Sequence, residues 1–304
     1  MTLEQLRIFV AVAQRQHMTE AAKTLGLTQS AASAAIAALE EHYDTKLFHR
    51  IGRGIALTEE GRRFLDEARA VLARAEAAEQ VLSEMTGLKH GLLRVQASQT
   101  VAGYWLPRYL VDFRAAYPGV RLELTVGNTE QAAAAVQDGT ADLGFVEGKV
   151  NDPRLTIREI ARDRLMLVVG ARHPWAGRRH ISPADILTTS WILREKGSGT
   201  RAMFERALAD FGIDPSMLNI LIELPSNEAV RSAVIAGEAA TVLSASVLVA
   251  GLESDLLYAP SLALPERAFY VVTHKERHVS RAAAALLKII QPPPPPASAT
   301  PKRG

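Results

Sequence analysis

Residues 21–40 read AAKTLGLTQSAASAAIAALE, and the punctuation inside that run governs how the N-terminal part folds. Gly26 supplies the left-handed position at which a helix ends. Thr28 follows as a residue whose hydroxyl can accept from a free N–H in the next helix's first turn. The first of the two helices is expected from about Thr19 to Leu25, capped by Thr19, with Ala21, Ala22 and Leu25 inward. The second continues to about Tyr43 and turns Ala32, Ile36 and Leu39 inward at i, i+4 and i+7. Gln29, Ser30 and Ser33 then fall on its other side with Ala34 and Ala37. Small polar residues at the start of a helix allow its backbone to sit deep in a DNA major groove, where the Gln29 amide can pair with a base edge.

Working outward, Leu3, Leu6, Phe9, Val10 and Ala13 recur at helical spacing and predict a preceding helix with one apolar face. Downstream, Lys46–Thr58 reads as a two-stranded wing: Leu47 and Phe48 anchor it, Gly52 and Gly54 allow the reversal, and Arg50 and Arg53 reach phosphates or the minor groove. The charge of this region argues less clearly. Residues 1–58 carry six Lys/Arg against five Asp/Glu, and the whole chain of 304 residues is only +2, so local geometry has to carry the case for nucleic acid.

With AAKTLGLTQSAASAAIAALE come LFHR at 47–50, GRG at 52–54 and LTEEG at 57–61. In order, spacing and residue type these resemble the signature of LysR-type transcription regulators over about 45 residues. Two positions depart from it. Asp44 stands where the family usually has Gly, a change that Asp's tolerance of the left-handed region accommodates. His17 stands where a Ser is common before the second helix, which weakens a cap or a phosphate contact. The resemblance implies a fold of class α plus α/β: an N-terminal winged helix-turn-helix (1–58), a long linker and dimerisation helix (59–90), and a C-terminal two-lobed α/β domain like a periplasmic binding protein (91–290). Lobe one takes 91–162 and 267–290, and lobe two takes 163–266. DNA contacts are expected from Thr28, Gln29, Ser30, Ser33, Arg50 and Arg53.

From Thr58 to Met85 the pattern is helical throughout, with Glu59 and Glu60 in the first turn where the helix dipole favours anions. Phe64, Ala68, Val71, Ala75, Ala78, Leu82 and Met85 form a seam in steps of three, four and seven, a short coiled-coil pattern whose alanines allow close approach. A helix of ~30 residues is ~45 Å long, more than a small domain covers, so pairing with a second chain is expected. A dimer presents two recognition helices to an inverted-repeat operator in double-stranded DNA. Beyond a homodimer, the resemblance implies a homotetramer and RNA polymerase as a further partner.

Residues 92–99, 120–128 and 141–147 read as strands, with helical segments near 101–116 and 129–138 between them. Such alternation implies βαβ units and a parallel sheet. Ligands of open α/β sheets bind beyond the strands' C-terminal ends. Four polar junctions qualify: Ser98-Gln99-Thr100, Asn128-Thr129 after Gly127, Gly197-Ser198-Gly199-Thr200-Arg201, and Asn227 between Ser226 and Glu228. The third is the sharpest, because glycines admit backbone N–H groups to a ligand, the hydroxyls add donors and Arg201 adds a full charge. REKGSGTR also resembles a subgroup of the family that governs sulfur assimilation or carbon fixation, so the effector is expected to be a small anionic molecule. Each junction also reads as an ordinary cap and turn. Glu147, after a buried strand, faces the cleft or serves structure; beside an anion it has to bond a protonated or hydroxyl group.

Other chemistries find little support. Cysteine is absent, removing disulfides and thiolate chemistry. The eight histidines show no ligand spacing, so no metal or cofactor is expected. Ser198 sits between glycines but G-x-S-x-G is not satisfied, and no catalytic constellation points to an enzyme. A solute-binding protein is the alternative reading; it needs no helix-turn-helix and usually carries a signal, whereas this N-terminus is an amphipathic start. No apolar run reaches the ~20 residues that span a bilayer, so a cytoplasmic location without membrane partner is expected. The last stretch, QPPPPPASATPKRG (291–304), has too little apolar surface to fold and reads as a disordered tail.

Overall fold

The computed structural model describes residues 1–51, 54–84, 91–148 and 150–290, without the side chains of 77 and 80–84. Apart from Asp138–Thr140, the chain divides into two compact units, one ending with the long helix and one beginning after it.

The first unit opens with α1 (Leu3–Arg15), α2 (Met18–Thr24) and α3 (Gln29–His42). Thr2 starts α1 through a capping box with Gln5. Thr28 caps α3 as expected, accepting from Ala31 N at 3.2 Å. The cap of α2 differs from expectation: it is His17, whose Nδ1 accepts from Glu20 N at 3.4 Å, and the helix starts one residue earlier. An imidazole nitrogen has the lone pair that this position needs, so the departure from Ser retains a cap. Asp44 adopts φ +46, the left-handed turn expected of it. The wing is a hairpin of β1 (Phe48–Ile51) and β2 (Gly54–Leu57), paired from Phe48↔Leu57 to Ile51↔Gly54. Leu6, Phe9, Val12, Ile36, Leu39 and Leu47 form the core, with the Phe9 ring 5.3 Å from that of Phe48.

Helix α4 (Glu59–Glu84) follows, and here the expected seam needs correcting. Phe64 stacks 4.9 Å from Phe9 and Ala68 is buried, so both serve their own unit's core rather than a partner chain. Val71 and Ala78 are exposed and Ala75 is half-buried. Leu82 and Met85 lie outside the described side chains, as do Gly52, Arg53 and the Pro-rich segment 291–304.

The second unit holds β3 (Gly91–Ser98), α5 (Pro107–Ala116), β4 (Val120–Gly127), α6 (Thr129–Asp138), β5 (Leu143–Glu147) and β6 (Leu155–Gly170). After them come β7 (Ser190–Arg194), α7 (Gly199–Asp210), β8 (Asn219–Leu224), α8 (Asn227–Ala236), β9 (Ala240–Ser244), α9 (Ala245–Glu253), β10 (Leu257–Tyr258), β11 (Glu266–His274) and α10 (Arg281–Ile289). A π-helical turn at Val101–Trp105 leads into α5. The strands run β4-β3-β5-β11-β6-β9-β7-β8, with β10 paired to β6. β3 is parallel to β4 and β5, and β7 is parallel to β8 and β9, as right-handed strand–helix–strand crossovers produce. β6 belongs to two sheets: Leu155–Arg164 pairs antiparallel with β11, and Leu165–Val169 with β9. Two lobes result. Leu93, Val95, Phe113, Leu143 and Phe145 pack beneath the first sheet. Trp191, Phe204, Leu193 and Leu208 pack against the second, where the Trp191 and Phe204 rings are 4.7 Å apart.

Candidate functional site

The first unit presents a concave face of about 650 Å³. Gln29, Ser33 and Ala37 of α3 line it, opposite Arg50 and His49 of the wing and beside His17 and Thr19 at the entry to α2. Gln29 and Arg50 are exposed and Ser33 is half-buried, so their polar atoms are presented to whatever fills the face. Thr28 and Ser30 are not among the residues that line it; Thr28 Oγ1 is 3.1 Å from Ser30 Oγ and already caps α3. Arg53 lies outside the described residues. Sequence reasoning weighed His17 only as a weakened cap or phosphate contact, and it missed His49 and the residue that fixes the wing, Glu40. Its carboxylate accepts from Leu47 N at 2.9 Å, Phe48 N at 3.1 Å and Lys46 Nζ at 2.8 Å. Burial pushes the Glu40 carboxyl up, but Lys46 and the two amides outweigh it and hold it below the usual carboxylate value.

In the second unit the expected residues divide into three groups. Thr129, Glu147, Gly197, Ser198 and Gly199 line one cavity of about 600 Å³, joined by Glu130, Met203, Asn151, Asp152 and Arg206. Gly197 adopts φ +86, and a Cβ on Gly199 would lie 2.6 Å from both Glu147 Cγ and Thr129 Oγ1; only glycine lets α7 start this close to β5. Ser198 Oγ is buried without a hydrogen-bond partner among the described residues.

Ser98, Gln99, Thr100, Asn128, Thr200 and Asn227 instead build a polar network that closes the lobes on each other. Gln99 donates to Pro225 O at 2.5 Å and accepts from Asn227 N at 2.9 Å. Asn227 Nδ2 donates to Thr100 Oγ1 at 3.2 Å, and Asn128 Nδ2 to Glu195 Oε1 at 3.2 Å. Thr200 Oγ1 accepts from Arg267 Nη1 at 2.8 Å. Ser98 Oγ donates to Glu147.

Arg201 is a correction. Its guanidinium bonds Glu205 (2.7 Å), Glu223 (2.7 Å) and the Arg194 carbonyl (3.1 Å), so its charge is neutralised within lobe two and not offered to a ligand. The cations at the lobe junction are Arg194 and Arg267, neither foreseen. Arg267 is buried, bonded to Asp163 Oδ2 through Nε and Nη2 at 2.7 Å, and 3.7 Å from Glu147 Oε1. Arg194 grips Glu195 with two bonds of 2.8 and 2.9 Å and donates to Asn227 Oδ1. No local motif marks either: one is an ordinary strand end and the other lies 104 residues from its partner Asp163.

Residues 3–62 match the family described as bacterial regulatory helix-turn-helix protein, lysR family, and residues 86–292 match the LysR substrate binding domain. Among curated relatives, the HTH-type transcriptional regulator CbbR of Rhodospirillum rubrum is 34% identical over 283 residues, covering 92% of this chain and 93% of its own length. CysL of Bacillus subtilis is 31% identical over 274 residues, covering 89% and 91%. Full-length CbnR, solved in complex with its target DNA, has the same fold at TM-score 0.68 and 24% identity, over 95% of this chain and 99% of that one. The regulatory domain of Synechocystis CcmR, solved in complex with 2-PG, aligns at TM-score 0.60 and 28% identity over 66% of this chain and 96% of that one. No helix among the described residues is long and apolar enough to cross a membrane. A helix-turn-helix with its wing, a two-lobed α/β unit and near end-to-end identity above 30% lead to one conclusion: the chain belongs to the LysR family of DNA-binding transcriptional regulators that carry an effector-binding domain.

Proposed function

We propose that α3 enters the major groove of an inverted-repeat operator, with Gln29 and Ser33 at base edges, Thr28 and Ser30 near the backbone, and Arg50 and Arg53 on phosphates. The observation that carries this reading is the concave face that gathers Gln29, Ser33 and Arg50 on one surface. The chain acts as a homodimer or a pair of dimers, brought together by the part of α4 beyond Ala68, where Val71 and Ala78 are exposed. In the second unit a small anion occupies the cavity at Ser198. Among the described residues, the Ser198 hydroxyl, which has no partner there, the first turn of α7 and Arg206 are the donors available to it. The CcmR regulatory domain with bound 2-PG supports a small molecule in this unit. Effector and DNA are coupled when one changes the affinity or geometry of the other. RNA polymerase is the partner through which such a change reaches transcription.

Footprinting the intergenic DNA beside the protein's own gene tests the first part. Parent protein protects two half-sites related by a dyad. Gln29→Ala and Ser33→Ala each weaken specific binding by ~1–3 kcal/mol per lost base contact. Variants that bind like the parent at the same salt concentration refute this placement of α3.

A further inference from the structure

Glu147 is one of the residues that border the Ser198 cavity. Glu147 ends β5 at 1% exposure. Its side chain accepts from Ser98 Oγ and, at 3.2 Å, from Thr100 Oγ1, both just beyond β3. Thr129 of α6 holds the same residue's main-chain oxygen at 3.0 Å. From lobe two, Gly199 at the start of α7 packs so tightly on Glu147 that no side chain fits between them. Ser198, 2% exposed and without a partner among the described residues, opens onto the same space. A ligand that bonds Ser198 and the first turn of α7 therefore lies against Glu147.

The charges around Glu147 do not balance in an anion's favour. On β11, Arg267 is shared with Asp163 of β6 at 2.7 Å, closer than its 3.7 Å to Glu147. Asp163 is further held by Ser244 at the end of β9. On β7, Arg194 is taken up by Glu195. Glu130 of α6 and Asp152 also border the cavity, and among the described residues that line it Arg206 of α7 is the exposed cation. Three carboxylates thus share two buried guanidinium groups. Burial already pushes the Glu147 carboxyl up, against the pull of Arg267, the Thr100 hydroxyl and Arg194. A second negative charge beside the buried Glu147 pushes the same way, because neighbouring like charges disfavour ionisation.

We propose that Glu147 sets the ligand specificity of this cleft, admitting an anionic effector only together with a proton taken up from solvent on the Glu147 carboxylate. This rests on the anion reading given above and goes beyond it. Protonation replaces a repelling charge with a neutral carboxyl whose O–H is a donor, and leaves Arg267 to Asp163. Anions then bind more weakly as pH rises, while neutral or cationic ligands gain nothing from the proton.

Calorimetric titration of the full-length chain with sulfate and with oxalate, whose charges are constant between pH 6 and 8, tests the proposal in two buffers of different ionisation heat. The parent is expected to take up close to one proton per anion at the upper end of that range, with affinity falling up to about tenfold per pH unit, as linkage to one proton requires. Glu147→Gln is expected to bind without proton uptake, and at pH 8 no more weakly than the parent at pH 6. Ser198→Ala weakens binding in both backgrounds. If Glu147→Gln does not fold, the proton count and pH slope of the parent decide alone. Anion binding without proton uptake, or uptake unchanged in Glu147→Gln, overturns the proposal and leaves the anion reading standing. Absence of binding heat for both anions with the parent at pH 6 overturns that reading and the proposal with it.

Discussion

Replacing Glu40 by alanine removes one carboxylate that accepts three hydrogen bonds at the entry to the wing. The Lys46 ammonium is 78% exposed, so losing that pair costs little. The Leu47 amide is buried, and a buried donor left without a partner costs ~1–3 kcal/mol. The Phe48 amide is partly buried and adds less. The total is about 1–4 kcal/mol, centred near 2 and concentrated where β1 begins. Local opening free energies are read by amide exchange, and 2 kcal/mol corresponds to about 30-fold. In Glu40→Ala the Leu47 and Phe48 amides are therefore expected to exchange about 30-fold faster, with weaker DNA binding because the strand carrying His49 and Arg50 is released. Glu40→Gln keeps an acceptor for both amides and falls between. The pH dependence has a definite sign. The folded carboxyl is held below 4.5, so this stabilisation is fully present above that value and is lost as pH falls through the folded-state value. Parent and variant converge in acid. Unchanged exchange at Leu47 and Phe48 in the alanine variant refutes the idea that Glu40 holds the wing.

Two further outcomes concern stability. A Cβ at Gly61, in the first turn of α4, would collide with the Leu47 carbonyl and come within 3.0 Å of Leu57 Cδ2; Gly61→Ala is expected to cost ~1–3 kcal/mol, measured as a lowered unfolding midpoint in urea. His173 is buried, accepts from Trp175 N through Nδ1 at 3.0 Å and bonds Thr189 through Nε2 at 2.8 Å. Burial lowers its pKa below 6.5, with Glu238 opposing and Arg178 reinforcing. The folded state therefore resists protonation, and stability present above 6.5 is lost as pH falls through the folded value. His173→Asn is expected to flatten the melting temperature between pH 7 and 5; an unaltered slope contradicts this.

The local grammar of the chain was readable because it is enforced locally. Thr28 as a cap, Asp44 in a left-handed turn and Ala32, Ile36 and Leu39 facing inward all follow from spacing and backbone preference, which act within a few residues. The cap of α2 was misassigned because Thr19 and His17 both carry an acceptor, and only the start of the helix selects between them. The α4 seam was over-read for a related reason. Helical periodicity marks an apolar stripe but not its partner, and Phe64 and Ala68 spend theirs on Phe9 and its neighbours. The site charges were illegible on different grounds. Arg201 sits in the motif most suggestive of an anion, yet Glu205 and Glu223 neutralise it, while Arg267 reaches Asp163 and Thr200 across sheet pairings that no window of sequence contains.

The continuous course of β6 bears on how this unit is inherited and altered. One ladder enters both sheets, changing neighbour from β11 to β9 between Arg164 and Leu165, and the chain comes back through β11 to finish the first lobe. The first lobe is discontinuous in the chain, its parts lying on either side of the second, so it cannot be excised as an uninterrupted fragment. Recombination between relatives exchanges the second lobe alone only through two breakpoints, one inside β6 and one ahead of β11, so a new ligand preference arises more simply by substitution along the cleft.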